Sequence, residues 1–432
     1  MTISRARCSR PALFYSTCAD GLGRSVFSFT RDYAIVAKLG ATAFDVGVIN
    51  ALGPLAFLLI GPLAERSIGL GSGQACGRTG LRVLRFALVL RLILVGTAAV
   101  LIFRHKLTIP MVMVIVSLFG VSAVFSSVAH GGTARDLAQI EGNPDWPVLL
   151  QRTSANLAMA DRIFAMVGPL IAGLAVVLGG VHIGMGTAWV ILLIAFSGGW
   201  LITFRDHSPA TCSNMPRIST RSRTVGESVK RVWRDRGALR AITAAISCGT
   251  AGLAIGSAVE SILIIRVLHI GAGWFAFLVA FAAVGAMLGG SCARKVMERW
   301  GPRRVMAAAI LAQSLLAASV LLVFILPAGV AAAFLAVQKL LWGMAVAALN
   351  AVGPELLLMT VPSDVLDSTA GVRRASVQLS GVLGGIIGGG FGSALGIVPA
   401  LALWPLTVFV GFVIVVRGCR SASASLPRPR QS

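Results

Sequence analysis

The chain is short of acid and short of charge altogether. Across 432 residues, 16 Asp and Glu stand against 38 Lys and Arg, and charged residues make up only 12%. The hydrophobic share is 56% and the mean hydropathy +0.85, which excludes a soluble globular domain. Aromatic residues are scarce too, at 7%, and no series of alternating segments of about ten residues appears, which excludes a membrane β-barrel. The seven cysteines form no CxxC pair, so the sequence offers neither a disulfide framework nor a zinc site. The five histidines, His105, His130, His182, His207 and His269, form no HExxH. No GxxxxGK[ST] is present to cradle phosphates, which argues against an ATP-driven pump. With no nucleophile constellation and no metal motif, the expectation is a non-enzyme without cofactor or metal.

What remains is a succession of apolar runs long enough to cross a hydrocarbon core of about 30 Å. They fall at 12–38, 43–64, 83–103, 108–129, 155–179 and 187–204, then at 239–267, 274–292, 305–327, 330–353, 371–396 and 398–417. The expected fold is therefore all-α integral membrane, with roughly twelve transmembrane helices in two six-helix bundles. The long polar segment between them divides the chain into 1–204, a cytoplasmic linker 205–236, and 237–432 with a short basic tail. The start, "MTISRARCSRPALFYSTCADG", has a basic region but no clean apolar core, and reads as an uncleaved first helix.

The net charge of +22 is better explained by lipid than by nucleic acid. With the N-terminus inside, the inner loops collect Arg66, Arg78, Arg82, Arg135, Arg152, the linker arginines, Arg294, Lys295, Arg299, Arg303, Arg304, Arg373 and Arg374. The outer segments hold Lys38, Arg104, Lys106 and Arg266. That asymmetry places both termini in the cytoplasm of a multi-pass cell-membrane protein.

The halves repeat. "GPLAERSIG", Gly61 to Gly69, follows the second helix, and "GGSCARKVMERWGPRR", Gly289 to Arg304, follows the eighth. Each places a Glu-Arg pair (Glu65-Arg66, Glu298-Arg299) before a glycine (Gly69, Gly301) and basic residues, Arg303 and Arg304 in the second copy. A repeat of this kind points to a transporter built from two related bundles. An acid at a helix end and arginines on the next helix suit a clamp at the cytoplasmic side, whereas the plain alternative is a basic topology determinant.

On these residues the chain resembles the major facilitator superfamily, over essentially its whole length. "GPLIAG", with Gly168, Pro169 and Gly173, looks like the glycine-proline signature of exporters in that superfamily. "ADGLGRSVFSF", the "SAN" ahead of the fifth helix and "VPSDVLDSTAGVRRA" look like its macrolide-efflux and enterobactin-exporter branch. The first loop departs from the pattern: it is longer, and its acid is Glu65 where Asp is usual. The resemblance implies a monomeric secondary transporter moving a small molecule, with proton coupling, efflux and antibiotic resistance as the associated themes.

Charges inside the apolar runs carry the chemistry. "DGLGRSVFSFTRD", Asp20 to Asp32, lies in the first helix. At 100° per residue Arg24 falls about 40° and Arg31 about 20° from Asp20, with Asp32 about 120° away. The stripe of Asp20, Arg24 and Arg31 is expected to face the bundle interior or water. Asp20 and Arg24 are spaced to pair within the helix. Arg31 has no acid at three or four residues and is expected to find its partner on another helix, on substrate or in water; alternatively Arg31 and Asp32 reach the outer interface. A carboxylate in a low-dielectric cavity can take and release a proton near neutral pH. Glu260 is the first candidate because no base sits one turn away on its helix, followed by Asp20, Asp32 and Asp161. Arg24, Arg31 and Lys339 suit a carboxylate or phosphate on cargo, or neutralise those acids. Gln338, Asn350 and Gln378 are further cavity candidates, with Arg91 and Asn50 as buried polar positions. The glycine run "SGVLGGIIGGGFGSALG", Ser380 to Gly396, suits close packing or a hinge. An uptake permease and a transport-inactive receptor remain the alternative functions.

Overall fold

The computed structural model describes residues 2–67, 77–140, 146–201, 237–360 and 366–422. Among them run twelve long helices: α1 (Thr2–Ala37), α2 (Ala43–Ser67), α3 (Gly77–Phe103), α4 (Ile109–Ile140), α5 (Trp146–Gly179), α6 (Val181–Leu201), α7 (Gly237–Ile262), α8 (Ala272–Trp300), α9 (Pro302–Ser319), α10 (Ala328–Thr360), α11 (Leu366–Ala394) and α12 (Ile397–Ala422). Helices are the form such a sequence must take, because apolar segments in lipid have to satisfy their backbone groups internally. Ten of them are long and apolar enough to cross a membrane, and the chain is a multi-pass integral membrane protein. The other two are α1, whose charges lower its hydropathy, and α5, which is apolar over Met166–Gly179 and whose earlier side chains lie largely outside the described residues. Several helices outrun the apolar spans read from sequence: α4 continues to Ile140, α5 begins at Trp146 and α10 reaches Thr360. Hydropathy marks the apolar stretch, while helical hydrogen bonding continues into the polar ends.

Local sequence explains the junctions. At the start of α2, Thr42 and Asp45 form a reciprocal cap: Thr42 N–H donates to Asp45 Oδ2 (2.8 Å) and Asp45 N–H donates to Thr42 Oγ1 (3.2 Å). Gly180 and Gly301 have φ of 82° and 79°, a region that side chains disfavour, and they turn α5 into α6 and α8 into α9. Pro302 then begins α9, where a missing N–H costs nothing. Large apolar side chains such as Leu178, Phe103 and Ile325 point outward at 75%, 72% and 78% exposure, the pattern of a surface solvated by lipid.

The chain divides into two compact units, the first comprising Met1–Gly40, Leu55–Thr220 and Ile270–Ala280, the second Ala41–Pro54, Arg221–His269 and Phe281–Ser432. In the first, α1 packs on α5 and α6, and α3 on α4 and α6. In the second, α7 packs on α11 and α12, and α9 on α10 and α12. Each unit thus uses the same pairing plan six helices apart, matching the repeat read from the loops.

Small residues set the closest approaches. The α11 glycines are packed tightly: a Cβ on Gly384, Gly388 or Gly392 would strike Ala251, Ile255 or Val259 of α7. On its other face, Gly385 and Gly389 lie against Gly47 and Ala43 of α2. In the same unit, Gly285 and Gly289 of α8 face Leu340 and Met344 of α10. Without a hydrophobic drive between helices in lipid, such backbone proximity is what holds them.

Candidate functional site

The first unit is built around a charged core. On α1, Ser16 donates from Oγ to the Ala195 carbonyl of α6 (2.9 Å), which fixes the rotation of α1 one turn before Asp20. That rotation turns Asp20 inward, and its carboxylate receives Arg91 Nη1 of α3 at both oxygens. Arg91 Nε donates to Ser122 Oγ of α4 (2.8 Å). The guanidinium carbon lies 5.4 Å from the centre of the Phe119 ring, which packs on Phe27 at 4.8 Å between centroids. Asp20, Arg91 and Ser122 are each 1% exposed. Arg24 Nε stands farther off, 3.4 Å from Asp20 Oδ2, and its side chain is 37% exposed. The expected Asp20–Arg24 contact is therefore present but secondary. Arg91, Ser122 and Phe119 join three helices, which no spacing within α1 predicts.

Arg31 corrects the sequence reading. It takes its neighbour rather than a group on another helix: Nε donates to Asp32 Oδ1 at 2.9 Å and Nη2 to the same oxygen at 2.6 Å, with Ser28 Oγ at 3.4 Å. Side chains one position apart are splayed on a helix, but the long arginine arm bends round to reach. This pair is half-open, with Asp32 at 34% exposure.

The second unit has an aromatic core beside its ion pair. Lys339 Nζ of α10 lies 2.6 Å from Glu260 Oε1 of α7, so two candidates read separately from sequence are one pair. Their side chains are 14% and 13% exposed. Directly beyond Glu260 the helix loosens into a π segment, Leu263–Val267, with Leu268 N–H bonded to Leu263 O. Such widened turns are frequent at functional sites. One turn before Glu260, Gly256 lies flat against the Trp404 ring of α12. Trp404 meets Trp342 of α10 edge-on at 4.9 Å, and Trp342 is three residues from Lys339. Gln338, beside Lys339, donates from Nε2 to the Leu316 carbonyl of α9 (3.2 Å). Sequence reasoning does not single out Trp342, Trp404 or Gln313. The isolated Gln within the apolar α9 is the one signal available for them.

The remaining candidates are dispersed. Asn350 is exposed and Gln378 half-buried. Glu298 pairs with Arg294 one turn earlier (3.6 Å), both exposed. Arg299 and Arg304 are exposed and Arg303 half-buried. Gly61 has open space where a side chain would go, whereas Gly168 lies against Ser25 and Gly173 against Ala276; Pro169 sits inside α5. The side chains of Glu65, Arg66 and Asp161, all of Gly69, and the linker 205–236 lie outside the described residues. Among the described residues, no group of three or more His, Cys, Asp and Glu gathers to hold a metal ion.

No family model matches the sequence, and comparison with curated proteins finds no significant match. Solved structures do match. The nucleoside transporter NupG aligns with a TM-score of 0.72 at 13% identity, covering 97% of this chain and 99% of that one. A bacterial homologue of the iron transporter ferroportin, in an inward-facing state, aligns at 0.70 and 12% identity, covering 95% and 98%. A mutant of the peptide transporter POT, in complex with sulfate, aligns at 0.69 and 12%, covering 95% and 94%. At these identities the likeness is one of architecture, and it gives the chain the major facilitator fold of these transporters.

Proposed function

We propose that the protein is a secondary active transporter, a proton-coupled exporter of a small organic molecule of the drug, antibiotic or siderophore kind. It works by alternating access of two six-helix halves joined by the 205–236 linker. It acts as a monomer with twelve membrane crossings and both termini in the cytoplasm of the cell membrane. The observation that carries this reading is the Glu260–Lys339 pair. A group that handles protons or cargo has to be reachable. Glu260 and Lys339 keep 13% and 14% of their side chains exposed, whereas Asp20 and Arg91 keep 2% and 1%. The cost of holding two charges away from bulk water is repaid when their pairing can be exchanged for a proton or a solute. The structural neighbours include a nucleoside transporter, a homologue of an iron transporter and a mutant of a peptide transporter, which favours transport as the general activity. Export rather than uptake rests on the resemblance of Gly168–Gly173 to the exporter signature.

The test is uptake of compounds into everted membrane vesicles, using a panel chosen by toxicity with and without the gene. Uptake that collapses with the proton gradient supports the reading. Uptake indifferent to the gradient rejects proton coupling, and gradient-driven movement in the opposite direction would make the protein a permease.

A further inference from the structure

The two cores differ in how well their polar groups are satisfied. In the first unit, Asp20, Arg91 and Ser122 partner one another. In the second, three deeply buried residues each keep a polar atom without a hydrogen-bond partner among the described residues. These are Gln313 Nε2 on α9, Gln338 Oε1 on α10 and Trp404 Nε1 on α12. The residues are 3%, 2% and 1% exposed. Buried polar groups of this kind are costly, at about 1–3 kcal/mol each when left unmade.

They belong to one neighbourhood. Gln338 reaches α9 at Leu316, three residues and about 4.5 Å of helical rise from Gln313. Ser314, next to Gln313, donates from Oγ to the Pro405 carbonyl (3.0 Å), next to Trp404. Trp404 returns to α10 through the Trp342 ring. The contacts link α9, α10 and α12 in a ring, and each of these helices carries one of the unpartnered groups: two N–H donors and one carbonyl acceptor. A single small group that both donates and accepts satisfies that set, and a water molecule making two to four bonds has this chemistry.

We infer that Gln313, Gln338 and Trp404 form a polar binding site for internal water in the core of the second unit, behind the Glu260–Lys339 pair. The site is independent of the transport reading, since it depends only on the packing of α9, α10 and α12. A hydroxyl or amide on cargo shares the same hydrogen-bonding chemistry, so the experiment separates the two sources.

The full chain is purified substrate-free into lipid nanodiscs, and the indole N–H band is read by ultraviolet resonance Raman spectroscopy as the difference between wild type and Trp404→Phe. A hydrogen-bonded indole is expected without any added compound. Gln338→Met and Gln313→Met are each expected to shift that band toward a weaker bond. Each should also lower the unfolding temperature by about 2–4 °C, because the water loses a partner. A free indole in the wild type, with either glutamine variant neutral or stabilising, overturns the site. An indole that is free at first and becomes bonded only when glycerol or acetamide is added assigns the position to a solute and overturns the water reading. If Trp404→Phe does not fold, the wild type minus Gln338→Met difference carries the same test.

Discussion

Asp20 on α1 and Arg91 on α3 face each other as a sealed ion pair, with both side chains at 2% exposure or less and Ser122 of α4 closing the third side. Such a pair is dear to break and cheap to replace whole. Asp20→Asn is expected to destabilise the folded protein by about 3–5 kcal/mol, since it leaves the buried Arg91 charge uncompensated, and Arg91→Met by less, since Asp20 keeps its contact with Arg24. The double variant Asp20→Leu/Arg91→Met should recover most of that loss. Thermal unfolding in detergent checks both. Recovery of transport together with stability in the double variant would mark the pair as a scaffold.

The open pair predicts a different response. Lys339→Met is expected to cost about 1–3 kcal/mol, less than at Asp20 because the Glu260 side chain is 13% exposed rather than 2%. Its transport should lose the response to a proton gradient even where the protein folds. Chemical unfolding and vesicle uptake, measured on the same preparation, separate the two effects.

Near the end of α1, Arg31 and Asp32 form a half-exposed pair between neighbours. Asp32→Asn is expected to change stability by less than about 1 kcal/mol. If gradient-driven transport in that variant equals wild type, Asp32 has no part in coupling.

Helix contacts give a steric prediction. Gly285 lies against the Leu340 carbonyl, so Gly285→Leu should push α8 from α10 and cost about 1–3 kcal/mol or more. Gly61 faces open space, and Gly61→Leu should fold as wild type. Size-exclusion profile and unfolding temperature distinguish them. A folded but inactive Gly61→Leu would favour the gating role of the Gly61–Gly69 loop over a topological one.

The helices themselves are legible because lipid imposes one rule, long apolar runs, and hydropathy reads it directly. The repeat is legible in Gly61–Gly69 and Gly289–Arg304, and the shared pairing of α1, α3, α4 and α6 with α7, α9, α10 and α12 gives it a structural meaning. The inward orientation of Asp20 follows from helical geometry. Its partner does not, because Arg91 lies 71 positions away and helical period says nothing about which helix stands next door. For the same reason the sequence leaves open which acid, if any, Lys339 neutralises, and the pairing with Glu260 emerges only in the fold. Arg31 is misassigned by a spacing rule for helix faces that ignores the reach of a long side chain toward its neighbour. Trp404 and Trp342 look like ordinary apolar filling until the fold brings Gly256 beneath one of them.

If Glu260 carries the coupled proton, as proposed, Glu260→Gln in everted vesicles is the decisive variant. The substitution keeps the shape and removes the charge. Gradient-driven accumulation is expected to be lost, with substrate binding and exchange retained. Accumulation at the wild-type level in that variant would contradict it.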